Sequence, residues 1–142
     1  EKPFIYMIKS ELYQDLKFPG GGKENNESDH ETLIRETLEE TGLTISEKTI
    51  KPYGMVIQKN KSTRHPNQTF YMESKYYRCD VEQTIKKQNL DAYEKAYGYK
   101  LIKIHIDDAI KQNLKLLKED LKAIPWLKRE LKVLKLLKDE LF

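Results

Sequence analysis

The stretch FPGGGKENNESDHETLIRETLEETGL, residues 18–43, decides the fold. It opens on the breaker run Pro19-Gly20-Gly21-Gly22, which reads as a loop. Ser28 with Glu31 three positions on matches a capping box, and Leu33, Ile34 and Leu38 recur at helical spacing before Gly42 stops the run. The pattern predicts a helix over residues 29–41. Within it, Arg35-Glu36-Thr37-Leu38-Glu39-Glu40 puts three carboxylates into five residues, and spacings of three and four let Glu36, Glu39 and Glu40 converge on one side. Like charges at such spacings repel by about 0.2 to 0.5 kcal/mol per pair, so a cation should gather there. Oxygen donors without histidine or cysteine favour a hard ion, magnesium or manganese. Taken alone, the helix is read as readily as a solvated acidic face neutralised by Arg35 and nearby lysines.

Upstream of the loop, Phe4 to Ile8 is short, aromatic and β-branched and reads as a strand. Downstream, Tyr53 to Lys59 and Thr69 to Val81 read as a long-looped hairpin, with Arg64, His65, Pro66 and Asn67 between them. Residues 82–98 are polar and ambiguous. From Tyr99 to Ile106 the alternation of Leu101, Lys103 and His105 against Ile102, Ile104 and Ile106 predicts a strand with one buried face, followed by a helix capped by Asp107 or Asp108. Two amphipathic helices are expected over 109–124 and 126–141, with Pro125 at the break. The leucines of the last one (Leu127, Leu131, Leu134, Leu141) form a stripe expected to pack on the parent domain or against a second copy in a homodimer, with its lysines solvated.

At 142 residues and 38% hydrophobic composition, the chain suits one domain with one modest core. Its 26 Lys and Arg against 23 Asp and Glu leave a formal net charge of +3, too little to call for a nucleic-acid partner. No apolar run is long enough to span a bilayer and no signal peptide is visible, so a soluble cytoplasmic protein is expected. The single cysteine, Cys79, gives neither a disulfide framework nor zinc spacing. The chain begins on Glu1 and enters an apolar stretch at once, from which upstream sequence is expected to be missing.

Gly21, five residues to Glu27, seven to Arg35-Glu36, two to Glu39-Glu40 and one to Gly42-Leu43 resembles the Nudix box. Every charged and glycine position is filled, and the one departure is Thr37, where the family usually has an aliphatic residue. The lead-in Phe18-Pro19-Gly20 is also similar. The resemblance implies an α/β/α sandwich with a mixed sheet, whose usual first strand is absent before Phe4. It also implies magnesium-dependent hydrolysis of a pyrophosphate linkage in a nucleoside diphosphate derivative. It assigns Glu39 and Glu40 as main metal ligands, Glu36 as a further ligand or base, the Gly20 carbonyl as a backbone ligand, and Glu27 with Arg35 as a structural ion pair. Family members often carry the base on a later loop, for which Glu94 is the first candidate and Glu73 the second.

Lys59, Lys61, Arg64 and His65 are candidates to clamp phosphates. Tyr6, Phe70, Tyr71, Tyr76 and Tyr77 are candidates to stack on a base, though strand aromatics serve packing first. His30 and His105 are expected to have no catalytic role. The family's signatures for particular substrates are missing, which leaves a nucleoside triphosphate or nucleotide sugar as the default small-molecule substrate. RNA 5′-end cleavage, motivated by the lysine-rich helices from Lys111, and a non-catalytic nucleotide-binding module are the alternatives.

Overall fold

The computed structural model describes residues 3–61, 69–119 and 124–141. Strands β1 (Phe4–Ser10), β2 (Leu16–Lys17) and β5 (Tyr99–His105) form one sheet in the order β2-β1-β5. Strands β3 (Lys51–Lys61) and β4 (Thr69–Arg78) form a hairpin. Helix α1 spans Asp29–Thr41, α2 Ala92–Tyr97, α3 Ile106–Lys118 and α4 Leu127–Leu141. The α/β class read from the sequence is what folds. Every strand pairing among the described residues is antiparallel, however, so the parallel pairing that a mixed sheet requires is not among them.

Helix α1 has the predicted bounds because its ends are chemically fixed. Ser28 Oγ accepts from Glu31 N at 3.1 Å and Glu31 Oε1 accepts from Ser28 N at 3.0 Å, while Asp29 and Glu31 place negative charge at the positive end of the helix dipole. At the other end Gly42 turns left-handed at φ 79° and donates its N–H to Leu38 O. Thr37 and Thr41 are buried on this helix, and Thr41 Oγ1 returns a 2.6 Å bond to Thr37 O.

In β5, Ile102 and Ile104 pack with Met7, Leu16, Ile106, Ala109 and Leu134 in the main core, as the alternation predicts. Helices α3 and α4 supply the other wall. The leucine stripe is largely buried within the chain: Leu134 joins this core, Leu127 packs in a second cluster with Leu116 and Ile124, and Leu131 is buried as well. Each such side chain contributes about 1.5–3 kcal/mol on leaving water. The α3 cap differs from expectation: His105 Nδ1 accepts from Asp107 N at 3.1 Å, and Asp107 and Asp108 fall inside the first turn. No helix among the described residues is long and apolar enough to cross a membrane.

Short strand β2 was not legible in the sequence. Its outer edge is closed by a side chain: fully buried Asn113 on α3 accepts from Leu16 N at 3.0 Å and donates to Leu16 O at 2.8 Å. An amide has a donor and an acceptor to satisfy both groups. Asn113→Ala strands both Leu16 groups in the core and is expected to cost about 2–4 kcal/mol. A urea midpoint equal to that of the parent would contradict this account of the β2 edge.

Candidate metal centre

The loop 18–22 and helix α1 meet at Glu40. Its carboxylate is 1% exposed, accepts from Gly20 N at Oε1 (2.8 Å), and faces Lys17 Nζ at 3.6 Å. One turn earlier, half-buried Glu36 accepts from Arg35 Nη1 at 3.0 Å. A third carboxylate arrives from outside the helix. Glu94 in the first turn of α2 is buried, and its Oε1 accepts from Asp91 N at 2.9 Å in a second capping box. One oxygen from each of Glu36, Glu40 and Glu94 lies within 4.8 Å of the others.

What carries Glu94 there is the polar stretch that had no readable periodicity. Lys86 N donates to Gly42 O, Asn89 N donates to Glu39 O, and Gln88 Nε2 bridges Glu40 O (2.6 Å) and Tyr99 O (3.0 Å). Residues 86–89 are therefore strapped across the end of α1. Asp91 with Glu94 three positions on is the same capping signature as Ser28 with Glu31, and would have marked the α2 start.

Burial dominates the electrostatics. It pushes the Glu40 carboxyl up to about 8, with Glu94 adding to the shift and Lys17 and the Gly20 N–H opposing it. Burial also raises Glu36, against the pull of Arg35. Three close carboxylates, one of them costly to ionise, are a donor set suited to a hard divalent cation.

Glu39 stands outside that trio, its Oε2 accepting from Arg35 Nη1 at 3.2 Å. Arg35 is the hub of the loop: it bonds Glu27 through Nε (2.6 Å) and Nη2 (2.9 Å), and donates to Gly22 O at 3.0 Å. The guanidinium holds Glu27 down at about 2. Such a two-point fork fixes orientation as well as charge. Gly20 is engaged through its N–H rather than shown as a carbonyl ligand. At Gly21 a Cβ would stand 2.4 Å from Glu36 Cδ. Only a flexible carboxyl end needs to move, so Gly21→Ala should fold normally yet displace Glu36. The expectation is a metal requirement raised about 10-fold with the melting temperature unchanged; an unaltered metal titration would dissociate Gly21 from the site.

Of the other candidates, Tyr71 is exposed on the hairpin and its hydroxyl donates to Glu73 Oε2 at 3.4 Å, with no contact to the trio. Lys59 is exposed. Arg64 and His65 lie outside the described residues, as do the Lys61 and Phe70 side chains. Tyr77 bonds Asp29 and meets His30 edge-on, while the Tyr6 ring carries Lys103. Sequence reading missed Lys17, Gln88 and Tyr93, whose hydroxyl is pushed up to about 12 by partial desolvation and by the negative charge of Glu94, Asp91, Glu40 and Glu36.

A glycine loop, a capped helix of carboxylates and a glutamate delivered by a later segment are the layout of an enzyme family that works on phosphate anhydrides. The family model described as NUDIX domain matches residues 2–127, and the chain belongs to the Nudix family. That family is of the pyrophosphohydrolase type and acts generally on nucleoside diphosphate derivatives. A search of curated proteins finds none that matches.

Proposed function

We propose that this chain hydrolyses a pyrophosphate linkage in a nucleoside diphosphate derivative, a nucleoside triphosphate or nucleotide sugar, with magnesium or manganese as its cofactor. The observation that carries the reading is the convergence of Glu94, from outside the box, on Glu36 and Glu40. Those three would hold the ion, with Glu39 beside Glu36 to extend the set and the Gly20 carbonyl as a backbone donor. When bound, the ion supplies charge neutralisation for the phosphate oxygens and acidifies water.

The protein's own groups do the rest. The Glu27–Arg35 fork fixes the loop to α1, so that Glu36 and Glu39 keep their places. Lys17, 3.6 Å from Glu40, offsets negative charge at the inner wall. Glu94, anchored by the α2 capping box through Oε1, would serve as the third ligand of the ion or, as the alternative, would accept the proton of the attacking water. The exposed Gly21 and Gly22 let phosphates approach the backbone.

The test is a panel of nucleoside triphosphates, nucleotide sugars and 5′-triphosphorylated RNA with magnesium, reading phosphate and pyrophosphate release. Metal-dependent cleavage of at least one free nucleotide, abolished by chelator, is expected. Cleavage of RNA alone would move the reading to the 5′-end enzyme, and no cleavage at all would remove it.

A further inference from the structure

We propose that the exposed ring of Tyr93, beside the carboxylate trio, is a platform on which the planar base of the substrate stacks. The proposal rests on the pyrophosphohydrolase reading above for its substrate class, and names the residue that would hold the nucleoside while Glu36, Glu40 and Glu94 meet the phosphates.

Tyr93 immediately precedes Glu94 in the first turn of α2. Side chains on a helix lean toward its N-terminus, and that is the end at which Glu94 reaches back to Asp91 N. The negative charges of Glu94, Asp91, Glu40 and Glu36 all act on the Tyr93 hydroxyl, so the ring lies near the cluster rather than on the far side of α2. Glu94 is buried, whereas Tyr93 is 56% exposed. A ligand can therefore reach this ring directly from solvent.

The ring is braced as well as accessible. Tyr93 meets Tyr97 one turn on, with centroids 5.7 Å apart and planes at 79°. Tyr97 is in turn held by Tyr13 at 5.6 Å, Tyr99 at 5.9 Å and Trp126 at 6.3 Å. Tyr99 is 3% exposed and carries Lys17 Nζ 5.3 Å from its centroid, the same ammonium that stands 3.6 Å from Glu40. A cluster of five rings thus runs outward from the metal centre. Tyr99 is buried, Tyr13, Tyr97 and Trp126 are half-buried, and Tyr93 is the exposed member. A perpendicular contact takes up at most one face of a ring, which leaves Tyr93 a face for a ligand. Because Tyr97 already restrains it, little side-chain freedom is lost when a base covers that face. Every base has a π-face, so such a platform positions a nucleoside without choosing among bases.

The experiment measures equilibrium binding, with magnesium, of two probes: the α,β-methylene analogue of ADP, whose bridging carbon resists cleavage, and methylenediphosphonate, which lacks the nucleoside. The proteins are the parent, Tyr93→Phe, Tyr93→Leu and Tyr93→Trp. The parent should bind the nucleoside analogue at least about 10-fold more tightly than methylenediphosphonate. Tyr93→Leu should weaken the analogue about 10-fold and leave methylenediphosphonate within about 2-fold of the parent. Tyr93→Phe keeps the ring and should match the parent on both probes. Should Tyr93→Leu fold poorly, Tyr93→Trp, with its larger face, must still tighten the analogue about 2-fold or more. Undiminished binding of the analogue by Tyr93→Leu, equal losses in the Phe and Leu variants, methylenediphosphonate weakened in step, or a parent that gains nothing from the nucleoside would overturn the platform. Turnover is not the readout, so ring-dependent nucleoside binding with no hydrolysis of any substrate would sink the enzymatic reading and leave this one standing.

Discussion

Glu40→Gln should lower turnover about 10³-fold while leaving the metal-free protein at least as stable as the parent. The two halves have one cause. In the folded chain the Glu40 carboxyl sits at about 8 against an ordinary 4.5, because burial and Glu94 disfavour its charged form. The folded state therefore holds a proton that the unfolded state releases. Stability attributed to this group is fully present below pH 4.5, declines as pH rises, and is lost once pH passes about 8. Glutamine keeps the shape and the acceptor for Gly20 N–H but cannot ionise, so melts in chelator should show a smaller fall from pH 5.5 to 8.5 for the variant. Magnesium reverses the cost in the parent alone: at a hundredfold excess over its dissociation constant it adds about 2.7 kcal/mol, a rise of ~5–10 °C. A variant that cleaves at the parental rate, or that loses stability in chelator at pH 8.5, would contradict both halves.

The second large effect is expected at Gly42, and it concerns folding. The residue ends α1 at φ 79°, and a Cβ there would lie 1.8 Å from Lys86 O. That carbonyl belongs to the segment strapped across the helix end, where Lys86 N also bonds Gly42 O. Backbone meets backbone, so no side-chain rotation relieves the clash. Gly42→Ala combines left-handed strain of about 1–2 kcal/mol with displacement of the strap, for a total of roughly 4 kcal/mol. It should also move Gln88 and, through it, the approach to Glu94. The expected result is a melting temperature lower by ~10 °C or more, with weaker metal binding in whatever remains folded. A melt within a few degrees of the parent would mean that the strap is not held as described.

The contrast between these residues and Glu94 shows what the chain states locally. Helix α1 was legible to the residue because Ser28, Glu31 and Gly42 act on their own neighbours, and the β5 face was legible because Ile102, Ile104 and Ile106 alternate. Strand β2 was hidden: two residues carry no periodicity, and Leu16 is held by Asn113, 97 positions away. Glu94 was a candidate by resemblance, but its meeting with Glu40 depends on Gln88 and Asn89 bonding backbone carbonyls of α1 and β5. No spacing rule reports such contacts. Glu39 illustrates the converse, since helical spacing brings it to the same side as Glu36, and only the reach of Arg35 shows where its carboxylate rests. The bonds of Glu130 to Tyr76 and of Arg129 to Ser74 likewise join residues far apart in the chain, which no local pattern reports.

The most direct measurement is a manganese titration followed by electron paramagnetic resonance, comparing the parent with Glu94→Gln. Glu94 lies in the same cluster of oxygens as Glu36 and Glu40, so loss of its charge should weaken manganese binding about 10-fold or more while circular dichroism stays unchanged. Manganese bound equally tightly by both proteins would mean that Glu94 is no part of the centre.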